Sequence, residues 1–444
     1  MKVLVVGSGG REHALCWKIR SSPLVQEVLC APGNAGTAEV ARNVPIKATD
    51  VAGLLELAAR EKIDLVVIGP EEPLCLGLGD KLRAAGVLVF GPDASAARLE
   101  GSKAFAKEFL VRHHIPTAQF RRFDRSGLAK TYLESCTQWP QVIKASGLAG
   151  GKGVSIVRDA REGCVLIDAL MEQRSLGEAG NEVVIEEFLE GEEVSVLAIT
   201  DGEALLILDP VMDHKQVGDG DVGPNTGGMG VCSPVSLLSR RVMRQIEQHV
   251  LVATLHGMRR DELSFRGVLF VGLMLTESGP RVLEYNCRFG DPEAQALMRR
   301  MKSDLVPFLV ATAQGKLADM PEGPEWDPRV CIGVVGAAEG YPGKVRKGDG
   351  ILGLEEAGKV PEVVVFHGGT RFAPTLKKEV VTDGGRVVCV TALGKDVEEA
   401  RRSAYAGFDK LTWDGRFCRR DIGHRHLTRK PAGAPEPQRR PPSR

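Results

Sequence analysis

The sequence carries no net charge, because 58 lysines and arginines balance 58 aspartates and glutamates. That balance removes the electrostatic case for nucleic acid or a membrane surface as main partner. Aromatic residues are scarce at 5 %, while glycine is abundant with 52 residues, which suits an α/β enzyme with many tight backbone approaches. No C-x-x-C pair occurs among the ten cysteines, and no Cys/His spacing resembles a zinc site. Scattered free thiols fit a reducing, cytoplasmic compartment. No apolar run is long enough to span a bilayer. The chain starts directly in a strand-like run, Met1-Lys2-Val3-Leu4-Val5-Val6, so no signal peptide is expected. Its 444 residues leave room for about two to four domains.

What is present begins with alternation. Segments 2–6, 27–31, 64–69 and 87–90 read as short parallel strands, with helical patterns over 11–20 and 51–61 between them. That order predicts a doubly wound α/β domain over 1–102, its ligand site at the strand-to-loop edge. Three loops should converge there: Gly7-Ser8-Gly9-Gly10, Pro32-Gly33-Asn34-Ala35-Gly36-Thr37 and Gly69-Pro70-Glu71. A dinucleotide fingerprint fails, because Glu12 holds the third glycine position and strand two ends in Ala31-Pro32-Gly33, not an acid. A compact phosphate is the better expectation.

A second region spans 103–316. Asp159-Ala160-Arg161-Glu162 starts a helix to about 173. Met243, Ile246, Val250, Ala253 and Gly257 mark an amphipathic helix with a core-facing stripe. Segments 268–276 and 280–285 should form a hairpin through Ser278-Gly279. After the linker-like Pro321-Glu322-Gly323-Pro324, strands at 330–337, 363–367 and 386–392 and a helix over 396–409 predict a small α+β unit, 327–426. The Pro- and Arg-rich end, 427–444, should be a disordered basic tail.

Chemistry concentrates in four places. Gly147-Leu148-Ala149-Gly150-Gly151-Lys152-Gly153 follows a buried strand carrying Lys144. Its glycines free the backbone to wrap an anion, and Lys152 adds a point charge. The loop lacks the hydroxyl that ends a P-loop, so a triphosphate fits but a Walker-type NTPase does not. The apolar run Val183-Val184-Ile185 ends in a glutamate-rich turn. Backbone near Glu186 and Leu189 could pair with a purine edge, and Glu193 could accept from ribose hydroxyls. Residues 213–230 lack periodicity and are expected to be a long loop that closes over a ligand. Glu284 and Asn286 share one strand face, an oxygen pair suited to Mg²⁺. Arg288, just beyond, could clamp a carboxylate or phosphate.

Together, the strand lysine, glycine–lysine loop, Glu-rich hinge and E-x-N pair resemble the ATP-grasp fold. More narrowly, the chain resembles the glycinamide ribonucleotide synthetase family over about residues 1–426. Further matching segments are Glu100-Gly101-Ser102-Lys103, Gly223-Pro224-Asn225-Thr226-Gly227-Gly228-Met229-Gly230, Gly384-Gly385-Arg386-Val387 and Cys418-Arg419-Arg420-Asp421-Ile422-Gly423.

The resemblance implies an ATP-grasp α/β fold with a small C-terminal α+β domain. It implies ATP-dependent ligation of glycine to 5-phosphoribosylamine through glycyl phosphate. ATP and Mg²⁺, with Mn²⁺ as a substitute, are the implied cofactors, and a cytoplasmic monomer acting on small molecules is expected. By resemblance, Lys103 and Lys144 hold phosphates under the loop of Gly147, Gly150, Gly151, Lys152 and Gly153. Glu186 and Leu189 frame adenine, Glu193 takes ribose, and Glu284 and Asn286 hold the metal. Asp213 and Arg288 receive glycine. Gly9, Gly10, Asn34, Gly36, Thr37 and Glu71 serve the phosphoribosyl substrate.

Ser146 stands where the family has Asp, Gly150 where it has Ala, and 268–276 carries no acidic metal ligand. Another ATP-grasp carboxylate–amine ligase is the nearest rival. A nicotinamide oxidoreductase is disfavoured by the failed fingerprint. A dead nucleotide sensor is disfavoured by Lys144, Lys152, Glu284 and Asn286.

Overall fold

The computed structural model describes residues 1–235, 238–374 and 379–427, so the expected tail after 427 lies outside the described residues. Strands β1 (Lys2–Gly7), β2 (Glu27–Pro32), β3 (Arg42–Asn43), β4 (Leu65–Ile68) and β5 (Leu88–Phe90) form a parallel sheet in the order β3-β2-β1-β4-β5. Val3, Leu4, Val5 and Val6 are all fully buried, which is why β1 reads as an unbroken apolar run. Strand order reverses beside β1, so the loops after β1 and β4 face each other across a crevice. Helices Gly10–Arg20 and Val51–Glu61 lie where expected, and Asp50 caps the second by accepting from the Gly53 N–H. The two-residue β3 is too short to leave a periodic signal.

Two antiparallel sheets follow. β6 (Phe120–Phe123), β7 (Gln141–Ala145), β8 (Val154–Val157) and β9 (Val183–Glu187) pair in the order β6-β9-β7-β8. The helix expected from 159 is Ala160–Ile167 continued by a wider turn, Asp168–Glu172, with Asp159 capping Glu162 N–H. The chain then forms β10 (Glu192–Thr200), β11 (Leu205–Ile207), β12 (Met212–Asp213), β13 (Gln216–Gly218), β14 (Val222–Asn225) and β15 (Gly230–Ser233). The hairpin expected at Ser278-Gly279 is β16 (Gly267–Thr276) and β17 (Gly279–Asn286), which join the second sheet in the order β11-β10-β16-β17.

Residues 213–230 correct the sequence reading. They are not an open loop, because β13 and β14 pair as a hairpin and β12 and β15 pair with each other. The hairpin is fastened by Arg419, whose buried guanidinium holds Asp221 at 2.8 Å and also Asp421 at 2.8 Å. Glycine density hid these strands, and their partner lies two hundred residues downstream in sequence, where no local pattern reaches it.

The last unit contains β18 (Val330–Ala337), β19 (Val363–His367), a small hairpin of β20 (Thr370–Phe372) and β21 (Val380–Thr382), and β22 (Arg386–Gly394). Its main sheet runs β12-β15-β18-β22-β19, so two strands come from the middle region. Helix Val397–Phe408, capped by Asp396, covers one face. This unit docks through two neutral imidazole acceptors. His367 N–H donates to His13 Nδ1 at 2.9 Å, and Gly423 N–H donates to His214 Nε2 at 3.1 Å.

Candidate active site

The seam between the two antiparallel sheets holds a cluster of lysines and glutamates. Lys144, on β7, lies 3.0 Å from Glu186 Oε1 and donates to Leu283 O at 3.0 Å. Lys107 holds the other Glu186 oxygen at 2.8 Å, and burial pushes its ammonium down to about 8. Across the seam, Lys215 contacts Glu193 and stands 3.5 Å from Glu284 Oε1. Burial alone would raise the Glu284 carboxyl, but Lys215, Lys144 and Lys103 overcome it and hold it down to about 2. Burial lowers Lys103, with Glu284 opposing.

Lys103 begins helix Lys103–Arg112, and Ser146 sets its place. Ser146 O accepts from Lys103 N–H at 2.8 Å and its hydroxyl accepts from Ala104 N–H at 3.2 Å. Ser146 thus adds acceptors at the helix start, beside the N-cap Ser102, whose hydroxyl accepts from Phe105 N–H.

The sequence-expected residues Lys103, Lys144, Glu186, Glu193 and Glu284 therefore converge, and Asn286 lies two positions beyond Glu284 at the end of β17. Leu189 lies half-buried in the turn between β9 and β10. The loop 147–153 joins β7 to β8, with Gly150 at φ +56° and Gly151 at φ +80°, so both sit in the left-handed region that favours glycine. Lys107 and Lys215 were not assigned from sequence. Lys107 is one helical turn from Lys103, a spacing that could have suggested it. Lys215 meets Glu193 and Glu284 only through tertiary pairing.

Beside Lys215, burial raises Asp213 to about 6, opposed by Lys215 and reinforced by Glu193 and Glu284. Burial and the Asp213 charge raise the nearby Glu293 to about 8. Arg288 sits just past β17. Its Nε reaches Glu71 at 3.3 Å, its Nη2 reaches Glu100 at 2.6 Å, and its Nη1 donates to Phe289 O at 3.3 Å. The expected clamp is thus partly committed to protein carboxylates, and one N–H on each terminal nitrogen remains. Burial raises Glu100 to about 7, against the pull of Arg288.

The three N-terminal loops carry many hydrogen bonds of their own. Glu12 fills the first glycine turn, accepting from Gly9 N–H at 2.5 Å and from Arg11 Nε at 2.5 Å. Asn34 Nδ2 donates to Ser8 O at 2.9 Å and His367 O at 2.8 Å, while Asn34 Oδ1 accepts from Thr37 N–H at 2.9 Å. Thr37 Oγ1 contacts Asn43 Oδ1 at 2.8 Å. These side chains brace loops; their hydrogen bonds are already made within the protein. Gly36 has room for no side chain, because a Cβ there would lie 2.4 Å from the His13 ring and 2.6 Å from His367. Of the expected set, Gly9 and Gly10 line a cavity of about 350 Å³; Asn34, Gly36, Thr37 and Glu71 do not. Its opposite wall comes from the C-terminal unit, at Gly368, Gly369 and Arg386.

Among the described residues, no group of three or more His, Cys, Asp or Glu side chains could hold a metal. Glu284 and Asn286 still fit Mg²⁺, since the ionised Glu284 and an amide oxygen on the same strand suit a cation that keeps waters and shares phosphate oxygens.

Three phosphoribosylglycinamide synthetase domains match in order: the N domain over residues 1–100, the ATP-grasp (A) domain over 101–294 and the C domain over 331–425. The phosphoribosylamine–glycine ligase of Escherichia coli O6:H1 is 49 % identical over 433 residues, covering 97 % of this chain and 100 % of that protein. The Vibrio cholerae enzyme of the same name is 48 % identical over 438 residues, covering 97 % and 100 %. The crystal structure of the Thermotoga maritima phosphoribosylamine–glycine ligase superposes with TM-score 0.82 at 34 % identity, covering 95 % of this chain and 100 % of that one. The biotin carboxylase domain of Hydrogenobacter thermophilus 2-oxoglutarate carboxylase shares the fold at TM-score 0.69 and 15 % identity, covering 94 % and 91 %. With three consecutive domain matches and half-identical full-length relatives, the chain belongs to the phosphoribosylglycinamide synthetase family.

Proposed function

We propose that this chain joins glycine to 5-phosphoribosylamine, forming glycinamide ribonucleotide while ATP becomes ADP and phosphate, a step of purine biosynthesis. The observation that carries the reading is the cluster of Lys103, Lys144 and Lys215 around an ionised Glu284, beside a glycine-rich loop. Little covalent work falls to the protein in such phosphoryl transfer; positioning and charge neutralisation dominate.

A glycine carboxylate oxygen attacks the γ-phosphorus, and ADP leaves. The ribosylamine nitrogen then attacks the glycyl carbon, the bond from that carbon to the phosphate oxygen breaks, and the amine proton leaves with phosphate. Lys103 and Lys144 hold ATP phosphates, and Lys152 follows them on its loop. Backbone at Glu186 and Leu189 frames adenine, since the Glu186 carboxylate is held by Lys107 and Lys144. Glu193 takes ribose. Asp213 faces the glycine ammonium, and the free N–H groups of Arg288 face its carboxylate. Glu284 and Asn286 would hold Mg²⁺ or Mn²⁺, which neutralises phosphate charge when bound.

The domains are read as 1–102 for phosphoribosylamine, 103–316 for ATP and 327–426 as the C-terminal cover. A cytoplasmic monomer suits ten free cysteines, and among the described residues no helix is long and apolar enough to cross a membrane.

ADP release with ATP, glycine and freshly generated phosphoribosylamine tests the reading. Omission of any one substrate should abolish ligated product. Product from a different acid or amine, and none from this pair, would favour another ATP-grasp ligase.

A further inference from the structure

The cavity between the N-terminal glycine turn and the C-terminal unit also touches the ATP-side loop, because Gly150 is part of its lining. What links the two sides is the short segment Thr226-Gly227-Gly228. A Cβ on Gly151 would lie 3.6 Å from both Gly227 N and the Thr226 carbonyl carbon, so the tip of the loop faces this segment with about a methyl group's space between them.

The segment is held from the C-terminal unit. Arg386 Nη1 donates to Gly227 O at 2.6 Å and to Asp291 O, and Nη2 stands 3.6 Å from the Asp291 carboxylate. Tyr341 Oη accepts from Gly227 N–H at 3.1 Å. Gly385 leaves room for that ring, since a Cβ there would lie 2.2 Å from Tyr341 Cδ2. On the other side, a Cβ on Gly228 would lie 2.6 Å from Pro292 Cδ, and Gly228 has φ +115°. Both peptide groups of Gly227 are therefore fixed by side chains that begin more than a hundred residues away, and Arg386 also holds the turn after the strand bearing Glu284 and Asn286.

We propose that Arg386, assisted by Tyr341, is a positioning residue for the ligation. It holds Gly227-Gly228 as the stop on which the 147–153 loop closes. The closed loop then excludes water from the acyl phosphate, while the amine enters from the adjoining cavity. The inference rests on the function proposed above. Without the stop, a water oxygen attacks the glycyl carbon, the carbon–oxygen bond to phosphate breaks, and glycine and phosphate are released after ADP has already formed. Uncoupled ADP release is thus the signature, and a purely structural role would not produce it.

The test compares parent, Arg386→Ala, Arg386→Lys and Tyr341→Phe, measuring ADP and ligated product in the same reaction. The parent should yield equal amounts. Arg386→Ala should yield more than about a twofold excess of ADP, with the KM for ATP changed less than about twofold. Arg386→Lys should restore part of the coupling, and Tyr341→Phe, which removes one hydroxyl, should show a smaller excess. Should Arg386→Ala fail to fold, Tyr341→Phe decides. Equal yields of ADP and product in Tyr341→Phe and in every folded Arg386 variant overturn the inference. A parent that makes no glycinamide ribonucleotide overturns the functional reading instead, so the two failures are distinct.

Discussion

Glu284 keeps its charge in a crowded, half-buried place because three lysines surround it. Replacing it with glutamine removes the proposed metal ligand and one of the carboxylates that face Lys215 across this seam. Glu284→Gln should fold but lose turnover by roughly 10-fold or more, partly recovered at high Mg²⁺. Turnover titrated against Mg²⁺ checks this, and parent-like activity at low magnesium would remove Glu284 from the metal site. At this scale the sequence was most legible where chemistry follows the chain. Glu284, Asn286 and Arg288 sit within five positions, and their alternation announced them. Glu12 was read only as a missing glycine, yet it occupies the turn. Nothing local could say that Asn34 would reach His367 O in the last unit.

At the scale of elements, the 147–153 loop is lightly anchored, and at its far end Gly153 O accepts from Ala145 N–H at 2.8 Å. Its backbone is tied by Gly147 N–H to Ala179 O at 3.1 Å and by Lys152 N–H to Ala149 O at 3.1 Å. Glycines at 150 and 151 suit a segment that opens without ligand. Hydrogen exchange over 146–154 should be fast alone and slowed by a non-hydrolysable ATP analogue. Strong protection in both states would mean a rigid turn. Lys152→Ala should leave stability nearly unchanged and reduce turnover more than ATP affinity, as expected for a charge acting on phosphoryl transfer. Helices with strong periodicity, such as Val51–Glu61, were read to the residue. The hairpin of β13 and β14 was not, because its stability comes from Arg419 and neighbours rather than from alternating side chains.

For the whole molecule, acid is the informative stress. Burial lowers His13 to about 3, His214 to about 3 and His367 to about 4, with lesser contributions from neighbouring charges at the first two. In the folded protein these rings stay neutral, while the unfolded chain binds protons below about pH 6.5. Stability should therefore fall as pH drops from about 6.5 toward 4, and be insensitive to these groups above about 7. Urea midpoints across that range should show the slope, and His13→Asn, which keeps an acceptor for His367 N–H, should flatten it. An unchanged slope would place the acid sensitivity elsewhere. The order of units along the chain was readable from composition and linkers. The docking of the last unit onto the first two was not, because a buried histidine such as His13 in helix Gly10–Arg20 looks like an ordinary polar position until its partner is known.

The mixed parentage of the C-terminal sheet also has a consequence in time. β15 leaves the ribosome roughly one hundred residues before β18, its central neighbour. At about 5–20 residues per second that is a delay of roughly 5–20 s. During that interval Val231 and Cys232, both fully buried at the end, have only the two-residue β12 of that sheet to pair with. Substitutions there should show mainly in how much folded protein each round of synthesis delivers, and less in the activity of the molecules that do fold.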